Sequence, residues 1–202
     1  MNMNENIPSL ISEEQEKIKK NMEVAQNTEG FSRLTEKQKS IIKLSLYLQA
    51  RAERGRNEWK SGDDRKYMNS EYYVDNRNCH STICCLEKED INALSKDAFN
   101  DSDFFEAKYN KVETINELKT KIEEFDFPCV LQIGISSSND PYGKYHSSLA
   151  LGHDGNNNII LWEKESSELK FPYQIITLDQ IYNIYGNVYY GLRKLRHFDV
   201  KD

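Results

Sequence analysis

The stretch from His146 to Lys164 constrains the fold of this chain most, because it reads as a β-hairpin with reactive groups at its open end. Ser147, Leu149 and Leu151 alternate with His146, Ser148 and Ala150, and Ile159-Ile-Leu-Trp162 supplies a second apolar run. Between them, Asp154-Gly155 and the asparagines at 156, 157 and 158 are residues that accept a tight, left-handed turn. Pairing through that turn brings His146, near the start of one strand, close to Glu163, near the end of the other. A carboxylate beside an imidazole holds its tautomer and favours its charged form. A histidine held in this way lacks only a thiol or hydroxyl for nucleophilic chemistry, and Asn78-Cys79-His80 offers one upstream.

The neighbourhood of that cysteine predicts a helix. Asp75-Asn76-Arg77-Asn78 is a cluster of turn formers and N-cap residues, and it gives way to the apolar Ile83-Cys-Cys-Leu86. Cys79 therefore falls in the first helical turn, where free N–H groups and the positive end of the dipole favour a thiolate. Taken alone, a cysteine at a helix start is more often a core thiol, and a single strand histidine more often structural. Adjacent Cys84 and Cys85 fit packing inside an apolar helix. His80 and Cys84 share a helical face as a zinc pair would, but no second cluster completes a tetrahedral site, so no metal or other cofactor is expected.

The first third reads as helical, a segment of residues 1–60 appended to the rest. Ser12 with Gln15 forms a capping-box pattern opening a charged helix toward Ala25, which Asn27 to Gly30 breaks. Thr35 with Gln38 opens a second helix, with Ile41, Leu44, Leu48 and Ala52 on one face and Gly55 at its end. Ser61 to Arg65 is loop-like, Tyr72-Tyr73-Val74 a short extended piece, and Lys88 to Asn110 short helices and loops. Thr114 with Glu117 caps a helix lined by Ile115, Leu118, Ile122 and Phe125, closed by Pro128. Cys129 to Ile135 is a strand, Ser136 to Tyr145 a loop, and Tyr173 to Ile176 a further strand. Thr177 with Gln180 caps a short helix ended by Gly186, and Asn187 to Leu195 is the last strand, with Val188, Tyr190 and Leu192 on one face. Helices first and mostly antiparallel strands later make the fold class α+β.

Composition narrows the function classes. A net charge of −6 and the absence of a clustered basic surface argue against nucleic acid, since Arg51, Arg54 and Arg56 are diluted by Glu53 and Glu58. No run reaches membrane-spanning length, and the first residues lack the pattern of a secretory signal. The expected setting is a cytosol-like compartment with reduced thiols, or export by a route without a cleaved signal.

A cysteine heading a helix, a strand opening His146-Ser-Ser-Leu-Ala150-Leu-Gly152, and an acid closing the next strand at Glu163 together resemble papain-like cysteine hydrolases. In that family the members come in the order Cys, His, Asn/Asp/Glu, with the cysteine helix packed on an antiparallel sheet. The resemblance covers residues 61–202, read as a papain-like catalytic domain, and among its smaller relatives leans toward compact bacterial effectors and toxins, including glutamine deamidases and processing proteases. It implies Cys79 as nucleophile, His146 as acid and base, and Glu163 as the group orienting the ring, with Asp154 and Glu165 as alternatives. The family's oxyanion glutamine has no counterpart just before Cys79; Asn76 and Asn78 stand in its place, beside the Cys79 backbone N–H. The implied partner is a protein substrate, attacked at a peptide, isopeptide or glutamine side-chain amide. The rival is a non-catalytic interaction module with structural cysteines, using Tyr182, Tyr185, Tyr189 and Tyr190 as contact surface. Those tyrosines fit the core and flank of the last helix and strand better.

Overall fold

In a computed structural model of the protein, the described residues are 12–58, 79–90, 110–137, 140–164, 173–185 and 189–196. The helices are α1 (Ser12–Gln26), α2 (Glu29–Ser32), α3 (Glu36–Glu58), α4 (Cys79–Glu87), α5 (Ile115–Phe125) and α6 (Leu178–Tyr185). The strands are β1 (Asn110–Lys111), β2 (Cys129–Ser137), β3 (Asp140–His153), β4 (Ile159–Lys164), β5 (Tyr173–Thr177) and β6 (Tyr189–Lys194). They form one antiparallel sheet in the order β1-β6-β2-β3-β4-β5, so the class is α+β. The Asn76 and Asn78 positions, Glu165, Gly186, His197 and the boundary near residue 60 lie outside the described residues.

Alternation along the strands divides the core in two. Val130, Leu149, Leu151, Ile160 and Trp162 face α1, α2, α3 and α4, where Ile18, Met22, Ala25, Phe31, Ile41, Ile42, Ile83 and Leu86 cover them. Leu131, Ile133, Ala150, Ile159 and Leu161 face the other way, onto Leu118 and Ile122 of α5 and Leu178 and Ile181 of α6. The N-terminal helices thus share an apolar core with the sheet. Trp162 is fully buried in that core, and its indole N–H donates to Ser45 Oγ of α3 at 3.0 Å.

Local chemistry explains the starts of α3, α5 and α6. Thr35 and Gln38 cap α3 reciprocally, backbone N–H to side-chain oxygen each way, at 3.0 and 3.2 Å. Thr177 and Gln180 do the same for α6, and Thr114 Oγ1 accepts from Glu117 N–H at the head of α5. Three expectations need correction. The helix α3 runs through Gly55 to Glu58, because a glycine without a left-handed turn after it weakens a helix but does not end it. Its buried face is Gln38, Ile41, Ile42, Ser45 and Leu46, with Leu44 only half-buried. Ser136 to Tyr145 is not a loop: β2 and β3 pair out to Ser137 and Asp140, with a register shift between Ile135 and Ser137.

The β3–β4 turn is built on Asp154, whose Oδ1 accepts from the backbone N–H of Asn156 and Asn158, both at 2.9 Å. Asn157 adopts the left-handed conformation, φ 62°. Farther along, the register slips by one residue between Ala150 and Gly152, a bulge at Leu151 that Gly152 accommodates with φ 128°. The short helix α2 docks on this bulge. The stretch Asn27 to Gly30 does end α1, at Gln26, but Gly30 itself lies inside α2, and a Cβ there would sit 2.3 Å from the Leu151 carbonyl oxygen. Glu29 reaches over the same spot, accepting from the His153 backbone N–H at 2.9 Å and pairing with the ring Nδ1 at 2.9 Å, while Nε2 meets Glu123 of α5 at 3.1 Å. His153 is therefore clamped between two carboxylates rather than turned to solvent.

Burial pulls the His153 imidazole down, but hydrogen bonding to Glu29 and Glu123 and their charges raise it overall; Glu29 is lowered despite burial, by its own backbone and by His153. The clamp's contribution is therefore present below the ordinary histidine value of 6.5, lost as pH rises through the raised one, and lost again as Glu29 protonates below 4.5. His153→Gln should flatten the melting temperature between pH 6 and 9, removing an alkaline decline of about 2–4 °C in the native chain. Gly30→Ala should cost about 2–3 kcal/mol in urea unfolding, since backbone opposes the added methyl. An undiminished midpoint would mean that α2 does not sit on the bulge.

Candidate active site

Cys79 is the first residue of α4, which packs on β3 and β4. The turn thus begins at the thiol, as the N-cap pattern upstream implies, and the helix's positive end favours sulfur as the anion. His146 stands on β3 opposite Ile133 of β2, beyond the last β3–β4 pair, Ser148 with Glu163. Cys79, His146 and Glu163 are 6%, 1% and 1% exposed, so their charges act on one another with little screening by water.

The polar atoms form a chain. His146 Nε2 is hydrogen-bonded to Glu163 Oε2, and Glu163 Oε1 accepts from Gln174 Nε2 of β5 at 2.6 Å. Tyr185 of α6 stacks on the His146 ring, centroids 5.5 Å apart and planes 16° from parallel. The ring is thereby held from its edge and its face. Nδ1 of His146 has no well-aligned hydrogen bond, so it is the polar atom left for the thiol. Burial pushes the Cys79 thiol up, but hydrogen-bonding interactions with His146 and then His80, and attraction to both rings, bring it down to about 5. Burial pulls His146 down, while Cys79 and Glu163 together take it up to about 10. Both shifts favour a thiolate–imidazolium pair across neutral pH.

His80 occupies the other side of β3. Its Nδ1 lies 2.8 Å from Ser147 Oγ, which also accepts from Gln132 Nε2 of β2 at 3.3 Å. Cys84 and Cys129 are thiols of a different kind. Burial pushes Cys84 and Cys129 each up to about 12, and both sit in apolar clusters. No group of three or more His, Cys, Asp or Glu among the described residues could hold a metal ion, and Nδ1 of His80 is engaged with Ser147. Comparison of the chain with protein-family models, curated proteins and solved structures returns no match.

The structure brings Cys79, His146 and Glu163 together and sets Asp154 apart from them. Asp154 is committed to its own turn at the far end of the hairpin. Tyr190 is a core residue, and Tyr182 and Tyr185, half-buried, pack against the same cluster. Sequence reasoning missed Gln174, Tyr185, Ser147 and Gln132. Only Ser147 carried a signal, as the neighbour of His146; the others depend on strand order and helix placement. Among the described residues, no helix is long and apolar enough to cross a membrane.

Iodoacetamide followed by peptide mapping should label Cys79 far ahead of Cys84 and Cys129, with a rate that holds from neutral pH down to about pH 5 and then falls as the thiolate takes up a proton. Equal, slow labelling of all the thiols would remove the case for an activated sulfur.

Proposed function

We propose that the chain is a papain-like cysteine hydrolase acting on protein amide bonds, of the compact type found among bacterial effectors. The observation that carries this reading is the buried Cys79–His146–Glu163 chain, with sulfur, imidazole and carboxylate contributed by a helix start and two paired strands. The cysteine helix lying against an antiparallel sheet supports the papain-like assignment.

In this mechanism the Cys79 thiolate attacks an amide carbonyl carbon, forming a C–S bond and a tetrahedral oxyanion. The Cys79 backbone N–H at the head of the helix, with Asn78 or Asn76, is the proposed donor set for that oxygen. The His146 imidazolium gives its proton to the departing nitrogen as the C–N bond breaks, leaving a thioester and a neutral ring. Neutral His146 then takes a proton from water as its oxygen attacks the thioester; the C–S bond breaks with its electron pair going to sulfur, which releases the acid and restores the thiolate–imidazolium pair. Glu163, itself held by Gln174, keeps the ring oriented and stabilises its charged form. A peptide bond, an isopeptide bond and a glutamine side-chain amide all fit this chemistry. They differ in the outcome: cleavage for the first two, and a gain of about 1 Da for deamidation.

Incubation with candidate protein substrates, read by intact-mass spectrometry, tests the assignment. Cys79→Ala should reduce turnover to background, and His146→Ala should lower kcat/KM by ~10²–10⁴-fold. Glu163→Gln should lower it by less than His146→Ala, because the ring keeps its stacking on Tyr185. Turnover that survives in folded Cys79→Ala would exclude the mechanism.

A further inference from the structure

Consecutive residues of β3 address the first turn of α4 from opposite faces of the sheet. His146 is on the parity of Ile133 and Ala150, toward α6, while Ser147 is on the parity of Gln132 and Leu149, toward α4. The second connection runs through His80, buried next to Cys79 in the chain, with Nδ1 2.8 Å from Ser147 Oγ. Ser147 and Gln132 are both fully buried, and the Gln132 amide donates to the same oxygen.

We propose that His80 is a positioning residue for the Cys79 sulfur, a second imidazole anchored by Ser147 and Gln132 that stabilises the thiolate independently of His146. The assignment rests on the reading of Cys79 as nucleophile. A hydroxyl that accepts from an amide on one lone pair retains its own proton to donate, and the acceptor within reach is His80 Nδ1. With Ser147 donating to Nδ1, the hydrogen of the neutral ring sits on Nε2. Against the upward push of burial on the thiol, hydrogen bonding to His80, the next residue of α4, acts to lower it.

The second imidazole has a task the first cannot perform. When water attacks the thioester, His146 is removing the proton from that water. The C–S bond then breaks with its electron pair going to sulfur, and the departing thiolate needs a donor that is not engaged with the attacking water. His80 is the imidazole proposed for that part, and its anchor is a buried hydroxyl and amide rather than a group that changes protonation.

The test is the pH profile of Cys79 alkylation by iodoacetamide, followed by mass mapping, in the full chain and in His80→Asn, Ser147→Ala and His146→Asn. The midpoint should rise by about one pH unit in His80→Asn, and in the same direction by less in Ser147→Ala. In His146→Asn the midpoint should stay below that of the His80→Asn/His146→Asn double variant. A purely structural role would lower the melting temperature of His80→Asn and leave its midpoint on the native curve, which overturns the proposal. Should His80→Asn fail to fold, Ser147→Ala decides, since it keeps the ring and removes only its anchor: an unmoved midpoint overturns the proposal. Because the readout is thiol ionisation and not amide turnover, the two readings fail separately. A shifted midpoint in a chain that turns over no amide upholds His80 and sinks the hydrolase assignment; turnover with an unmoved midpoint does the reverse.

Discussion

The buried bond between His146 and Glu163 depends on a single register slip. On the turn side of Leu151, β3 and β4 pair Gly152 with Ile160; on the other side they pair Ala150 with Leu161 and Ser148 with Glu163. Without the extra residue, the parity of β4 would be exchanged relative to β3, and Trp162 would share the face of His146 while Glu163 pointed into the apolar cluster under the N-terminal helices. The bulge therefore does two things at once. It sends Trp162 to Ser45 on one face and Glu163 to His146 on the other.

A bulge in the middle of a sheet leaves backbone groups to be satisfied and a distorted strand to be held. Here Gly152 supplies the left-handed conformation and α2 is laid against the Leu151 carbonyl, which only a glycine at position 30 permits. Glu29 then takes the His153 N–H, and His153 ties that helix to α5. Arg33, just after α2, adds bonds to Asp126 and the Phe127 carbonyl at the end of α5, at 2.6 and 2.7 Å. These contacts lie at the far end of the hairpin from Cys79, yet they hold the register on which the site depends. The N-terminal segment thus bears on the chemistry without contributing a reacting group.

Capping boxes and strand parity were legible in the residues because they are local. The oxygens of Thr35 and Thr177 need only meet an N–H three positions on, and alternation along residues 146–152 needs no partner to be seen. The helix start at Cys79 was legible for the same reason. What misled was also local: Gly55 read as a helix end, and Ser136 to Tyr145 as a loop, from turn chemistry that the surrounding structure overrode. The clamp on His153 was not legible, because its carboxylates lie 124 and 30 positions away in the chain.

By itself, the order of residues determined a helix-borne thiol, a histidine strand with an acid at the end of its partner, and the α+β class, since each follows from short-range spacing. Tertiary structure alone decided which acid meets the ring, which side chains hold that acid and stack on that ring, and where His80 turns. Those depend on strand order, on a one-residue bulge and on helices packed from both faces. The physical reason is that burial and long-range pairing set the charge state of a side chain, and neither is written in its neighbours along the chain.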